Sequence, residues 1–302
     1  MSATPGHIEY SKNSMSSQAS PSKTIVFSHA NGFGAGCYRL LFEAWRSAGW
    51  TVHALPLIGH DPAFPVTSNW PHLRDQLIHF IETEIGSKPG PVVLVGHSLG
   101  GLLSLLVACR RPDLAQALVM LDSPLLTGWR AHSVRAMKAS RLMPRLSPGR
   151  VSRQRRHEWP DRQAVLAHFA AKHKFARWDP RVLKDYVESG FEERADGKTH
   201  LRFRRELETH IYDTLPHHLG RVMQHHPPQC PVGFIAGTES EELRQAGSGA
   251  SKALAQQHFA WMDGSHLYPF ERPDETAALV LQMLKVMLPT ELSPKSDDSA
   301  PL

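Results

Sequence analysis

A serine lies between glycines at the point where an apolar β-type run gives way to a helical pattern. The β-branched run Val92–Val95 leads into Gly96-His97-Ser98-Leu99-Gly100, and an apolar helical pattern follows over Leu102–Cys109. A strand that turns into a helix so abruptly has no space for side chains two residues before and after the serine, and Gly96 and Gly100 remove them. The pattern favours a strained nucleophile elbow at Ser98 over an ordinary glycine-rich turn with a capping serine.

The apolar runs along the chain have the rhythm of alternating strands and helices. Helical patterns such as Tyr38–Ala48 and Trp70–Ile85 separate several β-type runs, and a last one covers Ala277–Leu288. Parallel strands need long crossover connections, which helices provide. The rhythm therefore predicts an α/β protein with a mostly parallel central sheet flanked by helices. The predicted strands are Thr24–Phe27, Val52–Leu55, Val92–Val95, Leu118–Leu121, Val232–Ala236 and His258–Met262.

The strand rhythm stops between residues 125 and 228, where arginine and histidine become frequent. Helical patterns occur there over Gln163–Phe175 and Arg181–Glu188, and Ala195-Asp196-Gly197-Lys198 is typical of a hairpin turn. We therefore expect a mainly helical lid insertion over 125–228 within a core made of 23–124 and 229–290. The segments 1–22 and 291–302 are expected to be disordered tails.

The composition excludes several classes of protein. The chain has 302 residues, of which 41% are hydrophobic and 21% charged, as in ordinary globular proteins. Its longest apolar stretch, Pro91–Ala108, is interrupted by His97, Ser98 and three glycines, so no membrane span is expected. The N-terminal segment lacks the apolar centre of a secretory signal, and three widely spaced cysteines suggest no disulfide framework. These features favour a cytoplasmic location.

The formal net charge of +5 arises from basic residues concentrated between Arg130 and Arg205. The densest run, Arg150–Arg156, lacks the interleaved aromatic residues of a single-strand binder, so we expect no nucleic-acid partner. It fits a solvated face or a basic rim that attracts acidic substrates. The pairs His217-His218 and His225-His226 have no accompanying metal-binding motif, and no metal site is predicted.

A serine hydroxyl becomes an effective nucleophile when a histidine removes its proton and a carboxylate orients that histidine. His266 lies between the last predicted strand and the terminal helix, in a loop that can reach the carboxyl edge of the sheet. His97 adjoins Ser98, but an elbow directs neighbouring side chains elsewhere. His266 is therefore the predicted base.

The chain resembles the α/β-hydrolase superfamily from Lys23 to Leu288. The resemblance rests on three motifs that occur in the order typical of the family, with an insertion before the penultimate strand. It implies a serine hydrolase of the esterase or thioesterase type, with a helical lid. The motifs are Ser28-His29-Ala30-Asn31-Gly32-Phe33-Gly34, Gly96-His97-Ser98-Leu99-Gly100-Gly101 and Gly264-Ser265-His266-Leu267-Tyr268-Pro269-Phe270-Glu271-Arg272-Pro273.

The resemblance also implies an oxyanion hole made of two backbone N–H groups. Leu99, the residue after the serine, matches the first donor. Asn31 is the best match for the second, because the usual His-Gly-x sequence is here His29-Ala30-Asn31, and Ala30 and Phe33 remain open as donors. The residues expected to contact substrate are Phe33, His97 and Trp129.

The acid departs from the commonest pattern of the family. Many relatives carry an Asp three residues beyond a glycine after the penultimate strand, but Ser240 occupies that position here. Asp122 ends the strand after the elbow helix, the other location used by the family, as in thioesterase domains and some lipases. Adjacent parallel strands would bring it close to Ser98. Asp122 is the predicted acid, with Glu239 and Glu241 as alternatives.

These residues predict a serine hydrolase that cleaves a small-molecule carboxylic ester or thioester through an acyl-enzyme. This chemistry needs no metal or organic cofactor. Because relatives use the same triad differently, a carbon–carbon bond hydrolase or cofactor-free perhydrolase remains an alternative. The departure at Ser240 leaves a third interpretation, a ligand-binding relative without turnover. No pattern in the sequence indicates an oligomeric state.

Overall fold

A parallel sheet forms the centre of the structure, a computed structural model that describes residues 23–85, 90–140 and 149–288. The strands of the described residues are β1 (Thr24–Ser28), β2 (Thr51–Ala54), β3 (Val92–His97), β4 (Ala115–Leu121), β5 (Glu158–Trp159), β6 (Phe191–Glu193), β7 (Thr199–Leu201), β8 (Val232–Gly237) and β9 (Phe259–Met262). The central sheet has the order β2-β1-β3-β4-β8-β9, and all its pairs are parallel. The predicted α/β class is confirmed.

Helices follow most of the strands. Those of the described residues are α1 (Arg39–Ser47), α2 (Pro71–Glu84), α3 (Leu99–Arg110), α4 (Gly128–Ala139), α5 (Gly149–Arg153), α6 (Arg162–Ala170), α7 (His173–Ala176), α8 (Pro180–Ser189), α9 (Arg205–Asp213), α10 (Leu219–His225), α11 (Glu241–Ala246), α12 (Gly249–Ala255), α13 (Tyr268–Glu271) and α14 (Pro273–Met287). Within the ranges that the structure describes, none of them combines the length and apolar character that a bilayer span requires.

The two faces of the sheet carry separate hydrophobic clusters, because successive side chains of a strand point to opposite faces. Ile25 and Phe27 of β1 belong to one cluster and Val26 to the other. Helices α1 and α14 contribute to the first cluster, whereas α2 and α3 contribute to the second. Strands β1 and β3 are therefore buried on both faces, as is usual for the inner strands of a parallel sheet.

The strand register brings four chain segments to one edge of the sheet. Gly96 pairs with Met120, Leu121 with Ile235, and Gly237 with Met262. The segments that follow β3, β4, β8 and β9 consequently leave the sheet close together. In open parallel sheets, ligands bind at this carboxyl edge.

Residues 125–228, called the insertion below, separate β4 from β8 and contain α4 to α10. The insertion also holds a small antiparallel sheet in the order β5-β7-β6, whose turn at 195–198 confirms the predicted hairpin. The two-residue strand β5 is too short to give a periodic pattern and was not predicted. The predicted helix Gln163–Phe175 is two helices, α6 and α7, because the backbone is extended at Lys172 (ψ 128°).

Some element boundaries in the structure differ from the predicted ones, and others lie outside the described residues. Strand β4 begins three residues earlier than predicted, at Ala115, and α14 begins at Pro273, whose fixed φ suits the first turn of a helix. The tails predicted over 1–22 and 291–302 lie outside the described residues, as does the end of the predicted core segment at 289–290.

The first turn of α3 packs so closely on β1 that it tolerates no side chain at Gly100. A Cβ atom there would lie 1.9 Å from the carbonyl oxygen of Ser28. We expect Gly100→Ala to lower the free energy of unfolding by about 3 kcal/mol, measured by urea denaturation, because the backbone must move. Gly249→Ala is the matched control, since among the described residues no atom outside its own helical backbone and chain neighbours lies within 4 Å of its Cβ position. Equal stability of the two variants would contradict this packing.

Candidate active site

Ser98 lies in the abrupt turn between β3 and α3. Its backbone has φ 53° and ψ −115°, a conformation that L-residues rarely adopt. Its N–H donates to the Leu121 carbonyl at 2.9 Å, and its carbonyl accepts from the Leu102 N–H at 3.3 Å. The predicted elbow is therefore present, and its strain is held by backbone bonds on both sides.

Three side chains form a hydrogen-bonded chain at this edge. The Oγ atom of Ser98 lies 3.0 Å from Nε2 of His266, and Nδ1 of His266 lies 2.6 Å from Oδ2 of Asp122. Asp122 is fully buried, and its Oδ1 accepts from the Gly237 N–H at 2.8 Å. With the Nδ1 proton donated to Asp122, the Nε2 atom of His266 is free to accept the Ser98 proton.

The other proposed acids lie apart from His266. The side chain of Glu239 is 58% exposed and pairs with Arg177 at 2.6 Å. Glu241 begins α11, is 71% exposed, and contacts Arg244 at 3.4 Å. Neither carboxylate hydrogen-bonds to His266 within the described residues, so the geometry favours Asp122.

Ser240, which occupies the position of the commonest acid, contacts the acid found here. Its hydroxyl donates to Oδ2 of Asp122. The Oγ atom of Ser240 also accepts from the Leu243 N–H at 3.1 Å and so caps α11. The departure from the usual pattern thus has a physical account, because the serine supports a carboxylate supplied by the neighbouring strand.

The protonation of His266 depends on Asp122. Burial lowers the pKa of the imidazole, but the hydrogen bond to Asp122 and the negative charge of that carboxylate outweigh it, so the pKa is raised above 6.5. The neutral form of His266, which can act as a base, therefore predominates only above that higher pKa.

Hydrogen bonds distinguish the three candidates for the second oxyanion donor. The N–H of Ala30 donates to the Tyr38 hydroxyl at 3.1 Å, and that of Phe33 donates to the Ala30 carbonyl at 3.2 Å. The Asn31 N–H has no such partner among the described residues. The same holds for Leu99, the first residue of α3, whose N–H is one of the unpaired donors of a helix N-terminus. Asn31 and Leu99 are thus the available pair.

The insertion holds the loop that carries Asn31. The Asn31 side-chain amide donates to the Glu208 carbonyl at 3.0 Å, and Nη1 of Arg155 lies 2.8 Å from the Glu208 carboxylate. Arg155 also donates to the Tyr186 hydroxyl. A Cβ on Gly32 would lie 2.9 Å from the carboxyl group of Glu208, so this ion pair packs directly on the loop. Arg155, one of the four arginines of the densest basic run, is therefore only 16% exposed and is paired with a carboxylate.

A cavity of about 360 Å³ adjoins these groups, near the lower end of the range for small-molecule sites, about 300–1,000 Å³. Ser98, His266, Asn31 and Leu99 all line it. The remaining lining is mostly apolar, includes one arginine and one glutamate, and comes largely from α4, α9, α10 and α11. These lining residues include Trp70, Leu102, Trp129, Arg130, Val134, Met137, Ile211, Tyr212, Leu215, Leu219 and Glu242.

The substrate contacts predicted from sequence have different outcomes. Trp129 lines the cavity and is 68% exposed. Phe33 lies outside the cavity lining and packs on Trp178, with ring centroids 5.6 Å apart. The prediction for His97 is wrong, because the elbow turns its ring away from the cavity and buries it completely. Its Nε2 donates to the His266 carbonyl at 2.8 Å.

Several cavity residues were not predicted from the sequence. Ile211 lies on α9 and Leu215 lies two residues after its end, and their four-residue spacing could have identified them. Trp70 and Tyr212 gave no such signal, because their positions depend on how the insertion packs on the core. The Trp70 indole donates to the Thr214 hydroxyl at 3.1 Å. In the described ranges, no three His, Cys, Asp or Glu side chains form a group that could hold a metal ion.

Comparison with known proteins agrees with the motifs and the sheet. A family model described as the alpha/beta hydrolase family matches residues 25–279. The chain belongs to this family. The resemblance drawn from the three sequence motifs is confirmed.

Two relatives show what the chain is similar to. It is 27% identical over 179 residues to a monoglyceride lipase homolog of Monkeypox virus, covering 57% of this chain and 60% of that protein. It is 32% identical over 159 residues to the sn-1-specific diacylglycerol lipase of Mus musculus, covering 50% and 44% respectively. The chain thus spans about half the length of the curated relatives that it matches.

Solved structures share the fold of this alpha/beta hydrolase. E-2-(acetamidomethylene)succinate hydrolase superimposes with a TM-score of 0.66 at 19% identity, covering 88% of this chain and 93% of that one. The thioesterase domain from the curacin biosynthetic pathway gives a TM-score of 0.61 at 17% identity, covering 86% and 92%.

The choice of acid can be tested by removing each carboxylate. If Asp122 orients His266, Asp122→Asn should lower kcat by about 10⁴-fold, because an amide stabilises the wrong tautomer. Glu239→Gln and Glu241→Gln serve as matched controls and should keep wild-type kcat within about twofold. Ester hydrolysis by the purified variants measures this. A large decrease of kcat in Glu239→Gln with little decrease in Asp122→Asn would show that Glu239 is the acid that orients His266.

The pH dependence should follow the raised pKa of His266. We expect kcat/KM to increase with pH through a midpoint above 6.5, as the neutral imidazole becomes available. In Asp122→Asn, the carboxylate that raises the pKa is gone, so the midpoint should move to lower pH. Profiles of both proteins from about pH 5 to pH 9 test this. An unmoved midpoint would show that Asp122 does not set the pKa.

Proposed function

We propose that this protein is a serine hydrolase that cleaves a carboxylic ester or thioester with an apolar acyl group. The observation that carries the proposal is the chain from Ser98 Oγ through His266 to buried Asp122, which opens into a mostly apolar cavity. Such a serine has a base within reach, and the base has a buried partner to orient it.

In the proposed first step, Ser98 Oγ attacks the acyl carbonyl while Nε2 of His266 takes its proton. The carbonyl oxygen becomes negative and accepts hydrogen bonds from the N–H groups of Asn31 and Leu99. Asp122 stabilises the positive charge that forms on His266. The bond from the carbonyl carbon to oxygen or sulfur then breaks, and His266 gives its proton to the leaving group.

Water completes the cycle. His266 removes a proton from a water molecule, whose oxygen attacks the acyl-enzyme carbonyl, and the bond to Ser98 Oγ breaks as that oxygen regains its proton. The products are the free acid and the alcohol or thiol. No step needs a metal or organic cofactor. The relatives named as lipases and the structurally similar thioesterase domain support acyl transfer to water.

The interpretation without turnover rested on the serine at position 240. That hydroxyl donates to Asp122, and Asp122 lies 2.6 Å from His266, so the departure does not leave the histidine without a carboxylate. The geometry therefore favours catalysis over simple ligand binding. Carbon–carbon cleavage and perhydrolysis use the same residues, and a substrate panel distinguishes them from ester cleavage.

Catalysis by Ser98 can be tested with a fluorophosphonate probe and a panel of p-nitrophenyl esters and acyl thioesters. The wild-type protein should be labelled at Ser98 and hydrolyse short acyl esters, whereas Ser98→Ala should show neither activity. Ser104→Ala is a suitable control because this buried serine lies on α3 outside the cavity lining. Absence of labelling together with equal turnover by wild type and Ser98→Ala would refute the proposal.

The apolar cavity predicts a preference for longer acyl chains. Each additional buried CH₂ contributes about 0.8 kcal/mol, so kcat/KM should increase up to about fourfold per methylene until the cavity is full. Leu215→Trp should shift the optimum to shorter chains, because Leu215 lines the cavity. Leu166→Trp, at an exposed position on α6, is the control. A chain-length profile that is flat, or unchanged in Leu215→Trp, would place the acyl group elsewhere.

A further inference from the structure

Beneath the elbow, three hydrogen bonds join groups from separate parts of the chain. The Ala30 N–H donates to the Tyr38 hydroxyl oxygen at 3.1 Å, and that oxygen lies 2.7 Å from Nδ1 of His97. Nε2 of His97 lies 2.8 Å from the backbone carbonyl oxygen of His266. Tyr38 and His97 are both completely buried, so neither has water as an alternative partner.

The two ends of this series determine where every proton lies. The backbone N–H of Ala30 can only donate, and the carbonyl of His266 can only accept. Nε2 of His97 must therefore carry a proton, which leaves Nδ1 of the neutral ring to accept from the Tyr38 hydroxyl. The tautomer of His97 with the proton on Nε2 satisfies all three bonds. In the other tautomer, Nε2 and the His266 carbonyl oxygen would be two buried acceptors facing each other without a proton between them.

Burial keeps both side chains neutral. It raises the pKa of the Tyr38 hydroxyl well above 10.0. It also lowers the pKa of His97 well below 6.5, and the neighbouring His266 lowers it further. The rings are held in place by Phe270, whose centroid lies 4.8 Å from that of Tyr38 and 5.9 Å from that of His97.

The groups joined are those whose positions matter most to the proposed reaction. Ala30 immediately precedes Asn31, the available oxyanion donor, and His97 immediately precedes Ser98. The remaining end is the backbone of His266 itself. The Ala30 carbonyl is held as well, since it accepts from Nδ1 of His29 at 2.8 Å. The series thus links the loops of the oxyanion donor, nucleophile and base.

We propose that Tyr38 and His97 are positioning residues, which hold the Asn31 loop and the His266 backbone in register on either side of Ser98. This inference rests on the proposed function, because register between these loops matters for acyl transfer. It also gives a role to the histidine of the Gly-His-Ser motif that touches no substrate.

Kinetics of Tyr38→Phe, His97→Gln and the double variant test the proposal. Tyr38→Phe keeps the ring but removes the hydroxyl, and His97→Gln retains a side-chain N–H for the His266 carbonyl while losing the partner of Tyr38. Each single variant should lower kcat by about tenfold and change KM by less than about twofold. The kcat of the double variant should be no more than about threefold lower than that of Tyr38→Phe, because both changes break the same series of hydrogen bonds.

Thr276→Val is the matched control. It removes a buried hydroxyl that donates to the Arg272 carbonyl at 2.7 Å, at the start of α14 and outside the cavity lining. Its thermal stability should fall as in Tyr38→Phe, but kcat should stay at the wild-type value. Unchanged kcat in Tyr38→Phe, or effects that multiply to about a hundredfold in the double variant, would overturn the proposal.

A second measurement does not depend on turnover or on the folding of any variant. In wild-type protein labelled with ¹⁵N-histidine, the His97 ring should remain neutral and protonated at Nε2 from about pH 5 to pH 9. Protonation near pH 6.5, or the Nδ1–H tautomer, would refute the hydrogen-bonded series. If wild-type protein neither hydrolyses esters nor labels at Ser98, the proposed function fails, whereas the NMR spectrum still decides whether the series exists.

Discussion

The close packing of the first turn of α3 against β1 and β3 is the constraint on which the candidate site depends. A Cβ atom on Gly100 would lie 1.9 Å from the Ser28 carbonyl oxygen, and one on Gly96 would lie 2.3 Å from the carbonyl carbon of Gly100. Only backbone fits there, so the chain can reverse within a few residues. This reversal turns Ser98 toward the cavity and His97 into the core, and it leaves the Leu99 N–H at the start of a helix.

The sheet register explains how a carboxylate from β4 can serve a histidine that follows β9. Strand β4 lies between β3 and β8, so Asp122 has the elbow on one side and the Gly237–Ser240 turn on the other. Its backbone N–H bonds to the Ile235 carbonyl at 2.8 Å, and its side chain accepts from Gly237 and Ser240. The acid can thus lie at the end of either neighbouring strand. When it lies on β4, the position after β8 supplies a hydrogen-bond donor to it, here the Ser240 hydroxyl.

Local patterns predicted the features that depend on few residues. The parallel sheet and the elbow followed from periodicity and from two glycines, and the loop of His266 from its place after the last strand. Sequence left Ala30, Asn31 and Phe33 open as oxyanion donors, because the choice depends on the remote Tyr38 hydroxyl. His97 was assigned to the substrate although an elbow directs the neighbours of its serine elsewhere, and the burial of its ring agrees with that geometry and not with the assignment.

The cavity was less predictable than the sheet for a similar reason. Its lining combines Trp70 and Leu102 of the core with side chains of α4 and α9, so it exists only after the insertion has packed. Composition could show that the insertion is basic, but it could not show that Arg155 forms an ion pair with Glu208. Pairing of this kind depends on tertiary contacts between residues 53 positions apart.

The bond from Asn31 to the Glu208 carbonyl has a consequence for how such proteins can diversify. An insertion that only covered the substrate could be exchanged for another of any shape, and substrate choice would change without cost to the chemistry. Here the insertion carries a backbone carbonyl and an ion pair that press on the loop of the core. A chimaera with a foreign insertion must reproduce these contacts to keep the Asn31 loop in place. The insertion and the loop of the core therefore have to be inherited together.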